Sequence, residues 1–211
     1  MLYSRGYSWN RRRLLGGFVG LLDTYPDAAA AYSLRKLRAA YSGSAVRVRK
    51  EVSSVSSETD IGFLADGSLD TATLLTFASD ADSGDVFVDT WYDQSGNSND
   101  ATQGTATEQP KIVDAGSLVE EKGKPAIQSS GAQVLQTATG VLGVTTELTA
   151  FSVLKYDTTG QSNDFAWAVS SANYGAADDN VILRQFSGNY QSRITDSLNS
   201  SDASGGAVDT S

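Results

Sequence analysis

The chain has 211 residues, 40% of them apolar and 19% charged, which suits one large β domain or a smaller domain with an arm, and excludes two full-sized catalytic domains. Histidine and cysteine are both absent. That excludes Ser-His-Asp and cysteine nucleophiles, thiolate or imidazole zinc sites, haem ligation and disulfides, and leaves carboxylate, lysine, tyrosine or oxygen-ligated metal chemistry. The net charge of −9 divides into +8 over residues 1–50 and −17 over the rest, so a basic leading segment meets something anionic: a partner, or the acidic body of its own chain.

Residues 1–22 come first. Arg11, Arg12 and Arg13 precede the apolar run Leu14 to Leu22 as in a signal peptide, but glycines interrupt that run and Asp23 and Asp27 stand where a small-residue cleavage site belongs. The segment is therefore expected to stay as a basic arm. Its Arg5, Tyr7, Trp9, Arg11, Arg12 and Arg13 combine arginine forks with aromatic anchors and are the candidate partner-docking residues. Nucleic acid is not the expected partner, because the acidic body would repel phosphate. No stretch reaches the ~18 apolar residues of a membrane span, and no membrane insertion is expected.

Thr24 and Pro26 then read as a helix start, and the run from Ala28 to Gly43 predicts a helix with Ala30, Leu34, Leu37 and Tyr41 on one face. Period-two alternation over Ala45 to Val52 predicts a strand with its valines inward, followed by a serine-rich loop over 53–57. Asp60 to Leu64 reads as a short strand ended by the turn 65–68, and Leu69 to Ala78 as a second helix burying Leu74, Leu75 and Phe77. Val86 to Tyr92 is the strongest strand of the first half. Trp91 belongs to the core there only if the strand is bulged or buried on both faces.

The strand empties into Asp93 to Asp100, a loop of residues that hydrogen-bond their own backbone. Asp93, Ser95, Asn97 and Asn99 have the alternate spacing of the start of a calcium loop, but the glycine comes too early and no glutamate closes it, so an Asx-type turn is the plainer reading. No cofactor other than such a calcium ion is expected. Short strands are predicted over 110–113, 125–128, 133–136, 148–156, 165–169, 180–186 and 190–195, and residues 200–211 read as a low-complexity tail or the start of a further C-terminal part. Trp167 and Tyr174, in the later loops, are the candidate sugar-stacking aromatics.

The succession AAYSLRKLRAAYSGSAVRVRK, ETDIGFLADGSLD and TWYDQSGNSNDATQ over residues 23–103 resembles the N-terminal half of the catalytic domain of type B α-L-arabinofuranosidases. QPKIVDAG, GKPAIQSSG and ELTAFSVLKYD are similar to laminin-G-like strands in general. The resemblance implies a mainly β fold, a concanavalin A-like antiparallel β-sandwich or jelly roll with two short helices and the basic arm, its sandwich domain covering 23–199. Similar modules occur in structural proteins of tailed phages.

A retaining glycosidase of that family needs a carboxylate pair, supplied by the second half of its sandwich. Here the glutamates are Glu51, Glu58, Glu108, Glu120, Glu121 and Glu147, none later, and Asn163 to Asn173 offers serine and alanine where the nucleophile is expected. Asp178 and Asp179 have no assignable partner. No catalytic residue carries over. The resemblance then implies a non-enzymatic virion structural protein of a tailed phage, a capsid-decorating, fibre or tail component. Other virion proteins, further copies of the chain and host-surface glycan are its expected partners. The alternatives are an arabinofuranosidase-type glycoside hydrolase and a bacterial surface carbohydrate-binding adhesin. About nine strands are legible where a complete jelly roll needs about twelve, so the sandwich is expected to be completed by further chain or by a neighbour's strand.

Overall fold

The structure, a computed structural model, describes residues 18–130, 133–138, 141 and 149–155, together with the backbone of strands 164–170, 180–186, 189–195 and 200–207. The chain forms two compact units, Met1–Val141 and Leu142–Ser211. Among the described residues the protein is mainly β, with antiparallel sheets and two short α-helices, α1 (Leu21–Thr24) and α2 (Thr71–Ala78).

In the first unit the alternating run after Ala45 forms β1 (Val46–Val52), which turns back into β2 (Val55–Ile61). Ser53 and Ser54 both lie at positive φ, 51° and 62°. That is the pattern of a two-residue type I′ turn, whose twist matches the hairpin. The expected serine-rich loop is thus only two residues long, and β2 begins at Val55 instead of Asp60. The carboxylate of Asp82 accepts from the turn amides of Ser53 (2.9 Å) and Ser54 (3.3 Å) and supports this unusual backbone.

α2 starts at the cap Asp70, which accepts from the Thr73 amide at 3.0 Å. Leu74 and Ala78, four residues apart, face the core with Phe77 partly buried beside them; Leu75 is 37% exposed, because it lies 100° round the helix from Leu74.

β3 (Val86–Trp91) lies on the other side of β1 from β2. The bulge needed to bring Trp91 inward is present: β1–β3 pairing runs Arg47↔Thr90 and then Val48↔Val88, leaving Asp89 as the extra residue. Trp91 packs against the core and tilts onto Tyr32 at 5.9 Å between ring centroids, with its indole N–H buried and unpartnered. β4 (Ala101–Thr102) pairs with β3; β5 (Lys111–Asp114) and β6 (Ser117–Leu118) continue the sheet in the order β2-β1-β3-β5-β6, and β7 (Glu120–Glu121) pairs with β8 (Lys124–Pro125). Val46, Val48, Ile61, Leu74, Val86, Val88, Ile112 and Val113 make the core. Lys50 is buried in this wall, donating to the Phe77 carbonyl at 2.7 Å and to the Asp80 carboxylate.

The second unit contributes an antiparallel meander, β9 (Asp164–Ser170), β10 (Asn180–Phe186), β11 (Asn189–Thr195) and β12 (Ser200–Ala207), in the order β12-β11-β10-β9. The tail read as low-complexity therefore carries a strand along most of its length. Residues 133–136 give one bridge, Thr102↔Gln136, and 149–155 form no strand.

The largest departure is the helix expected over 28–43. That segment is irregular, with bends and a turn, for a reason that lies in the loop described next.

Candidate functional site

The loop Asp93 to Asp100 is built around buried side chains. Asp93 is 4% exposed and Gln94 is fully buried. The two carboxylate oxygens of Asp93 accept four hydrogen bonds, from the amides of Ala31 (2.8 Å), Ser95 (2.8 Å) and Asn99 (3.0 Å) and from the Ser95 hydroxyl (2.6 Å). Burial alone would raise its pKa, but the Ser95, Ala31 and Asn99 donors outweigh burial and hold the group below the ordinary carboxylate range. The Asp93 amide in turn donates to Asp100 at 2.8 Å.

Gln94 reaches across to the N-terminal segment with both ends of its amide. Its Nε2 donates to the carbonyls of Ser33 (2.8 Å) and Arg35 (3.2 Å), its Oε1 accepts from the Leu37 amide (2.7 Å), and its own amide N–H donates to Ala31 (2.8 Å). Asn97 donates to the carbonyls of Ala28 and Ala29, and Asn99 to that of Ala29. The backbone groups that a helix over 28–43 would pair internally are thus taken up by the loop. An isolated helix of this length is marginal in water, and a prearranged set of buried amide partners outcompetes it.

Asp93, Ser95, Asn97 and Asn99, the calcium-loop spacing, are brought together as a turn and not as a cation cage: the carboxylate oxygens face donors, and both asparagines turn their amide nitrogens to carbonyls. Among the described residues no group of three or more acidic side chains is arranged to hold a metal ion. The docking residues Arg5, Tyr7, Trp9, Arg11, Arg12 and Arg13, with Tyr174, Asp178 and Asp179, lie outside the described residues. Trp167 falls in β9 opposite Leu183 of β10.

Beside the loop opens a cleft of about 460 Å³, walled by Asn99, Asp100, Thr102, Gln103, Gln136 and Thr137. Sequence reasoning missed it, because the bridge Thr102↔Gln136 that forms one wall joins residues distant in sequence. Tyr32 closes the floor of the neighbouring loop by donating its phenol to the Asn99 carbonyl. Burial first, and then the charges of Asp93 and Asp100, push its pKa far above the ordinary phenol value, so it serves as a neutral donor. Amide and hydroxyl groups dominate the cleft, with Asp100 its one carboxylate among the described lining residues. Amide and hydroxyl groups of this kind can hydrogen-bond a neutral polar ligand, and the described lining holds no second carboxylate.

No helix among the described residues is long and apolar enough to cross a membrane. Comparison of the chain with protein-family models, curated proteins and solved structures finds no match.

Proposed function

We propose that this protein is a non-enzymatic structural component of a tailed-phage virion, a lectin-like β-sandwich module whose basic arm docks on neighbouring virion proteins and whose polar cleft holds host-surface glycan. The observation that carries this reading is the use made of the loop Asp93 to Asn99. In the resembling enzymes that motif belongs to a catalytic domain; here its Asp93, Gln94, Asn97 and Asn99 side chains are committed to holding residues 28–37, and Ser95 braces Asp93. The loop is a scaffold, and it fixes the path of the segment from which the arm extends. The neighbouring cleft offers neutral hydrogen-bonding groups, as polyol recognition requires.

The test is the protein's physical location. Density-gradient particles from a culture that produces the protein should carry it in stoichiometric amount by mass spectrometry, and deletion of residues 1–22 should leave a folded chain missing from those particles. Absence of the intact chain from every particle fraction overturns the proposal, as does release of arabinose from an aryl arabinofuranoside by the purified protein.

A further inference from the structure

Among the described residues, the sheet of the first unit has an open edge at β2, which pairs there only with β1. Counting from the closing pair Val52↔Val55 of the two-residue turn, Val55, Ser57 and Thr59 direct their backbone groups to β1, leaving those of Ser56, Glu58 and Asp60 on the free side. The strand is exposed at every position from Val55 to Glu58 and again at Asp60. It carries none of the lysines, prolines or bulges that commonly blunt an edge. Its solvent face is acidic: Asp60 is held by Arg47 at 2.9 Å, whereas Glu58 has no ion-pair partner among the described residues.

The arm has the complementary pattern. Tyr3, Arg5, Tyr7, Trp9 and Arg11 alternate with Ser4, Gly6, Ser8 and Asn10, the period of a strand with one large aromatic and cationic face and one small polar face. Residues 1–22 contain four arginines and no acid. The described chain begins at Phe18, whose ring lies against Gly67 in the turn past the Ile61 end of β2. An arm running back along its own β2 from that point would lie parallel to it, whereas antiparallel addition, the commoner pairing, is reached without a return loop only by the arm of another molecule. Seventeen extended residues reach about 56 Å, against about 23 Å for the length of β2, so the arm is long enough to serve a neighbour.

We propose that residues 2–13 of one copy add as an antiparallel strand to the β2 edge of a second copy, with Arg5 and Arg11 on the face of Glu58 and Asp60. Backbone pairing supplies the affinity and the arginines fix the face. The inference deepens the assembly reading above, and rests on it for the arm's role as the docking element. Because each copy both gives an arm and receives one, reciprocal exchange between two copies closes a two-fold dimer, and one-way exchange along successive copies generates a ring or a filament.

The chain has no cysteine, so single cysteines report the contact without background. Full-length chains bearing Arg5→Cys, Tyr7→Cys or Trp9→Cys are each mixed with a chain bearing Ser56→Cys or, at the opposite edge, Ser117→Cys, and oxidised. One arm position should form an interchain disulfide with the Ser56→Cys chain about tenfold faster than with the Ser117→Cys chain. Deletion of 2–13 should speed amide exchange at Ser56, Glu58 and Asp60 by about tenfold or more, with other strands unchanged. Equal disulfide rates at the two edges, unchanged exchange in β2, or a disulfide that forms only within one chain in the doubly substituted Tyr7→Cys/Ser56→Cys protein overturns the proposal. If deletion abolishes incorporation into particles but leaves β2 exchange unaltered, the edge assignment falls and the assembly reading stands.

Discussion

At the scale of single residues, Asp93 and Gln94 do most to set the path of the chain before β1. Each is a buried polar side chain with a partner on every polar atom, and removing one partner strands the others without water. Asp93→Ala leaves the amides of Ala31, Ser95 and Asn99 unpaired and should cost about 3 kcal/mol in urea unfolding. Gln94→Leu keeps the volume and loses the hydrogen bonds to Ser33, Arg35 and Leu37, so it should cost about 2 kcal/mol and raise amide exchange in 28–37 ahead of the core strands. A protein unchanged by both substitutions would show that this loop does not hold the segment. Gly20 is equally constrained by space: a Cβ there would lie 2.1 Å from the Leu37 carbonyl oxygen.

At the scale of elements, the β1–β2 hairpin invites improvement. Ser53 and Ser54 occupy left-handed positions that Asn and Gly adopt with less strain. The double change Ser53→Asn/Ser54→Gly keeps the amides that donate to Asp82 and should stabilise the unit by about 1 kcal/mol, read as a higher urea midpoint at unchanged slope. A lower midpoint would mean that the serine side chains themselves matter. The same hairpin shows what was legible in the sequence. β1, β3, β10 and β11 follow from alternation or an apolar run, and α2 from its apolar residues after the turn 65–68, because those signals are local. The Val55 start of β2 was hidden, since Ser56 and Ser57 are poor strand formers that pair because β1 lies beside them. The false helix over 28–43 arose from an alanine-rich composition that cannot report partners some sixty residues away, such as Ala31 with Asp93. The Asx character of the 93–100 loop was readable. Its use as a clamp, and the cleft beside it, depend on contacts between distant segments.

At the scale of the whole molecule, charge sets the response to pH. Asp93, Asp60 and Asp70 all have folded pKa values below the ordinary 3.8. For Asp60 the Arg47 hydrogen bond is the main cause, and for Asp70 the Thr73 amide. A depressed folded pKa means that the unfolded chain binds protons first on acidification. The stabilisation is therefore complete above pH 3.8 and is lost as pH falls through the folded values. At the alkaline end, burial and the Asp60 hydrogen bond push Tyr92 up to about 12, so its contribution is present below 10 and is lost as pH rises towards 12. With neither histidine nor cysteine in the chain, no side chain with an ordinary pKa titrates between about pH 5 and 9. Urea midpoints should be level from about pH 5 to 9 and fall on both sides. A step near neutral pH would contradict the assigned pattern.

The clamp on residues 28–37 also has a mechanical meaning. A load applied from the N-terminal side reaches the hydrogen bonds of Leu22 and Asp23, then those of Ala28, Ala31 and Leu37, before it reaches β1, and it meets them in succession. Bonds loaded in succession peel at low force, whereas β1, flanked by β2 and β3, resists as a sheared strand. Residues 18–45 therefore hold about 90 Å of chain when fully drawn out, which a pull from the N-terminal side would take up before the core strands part.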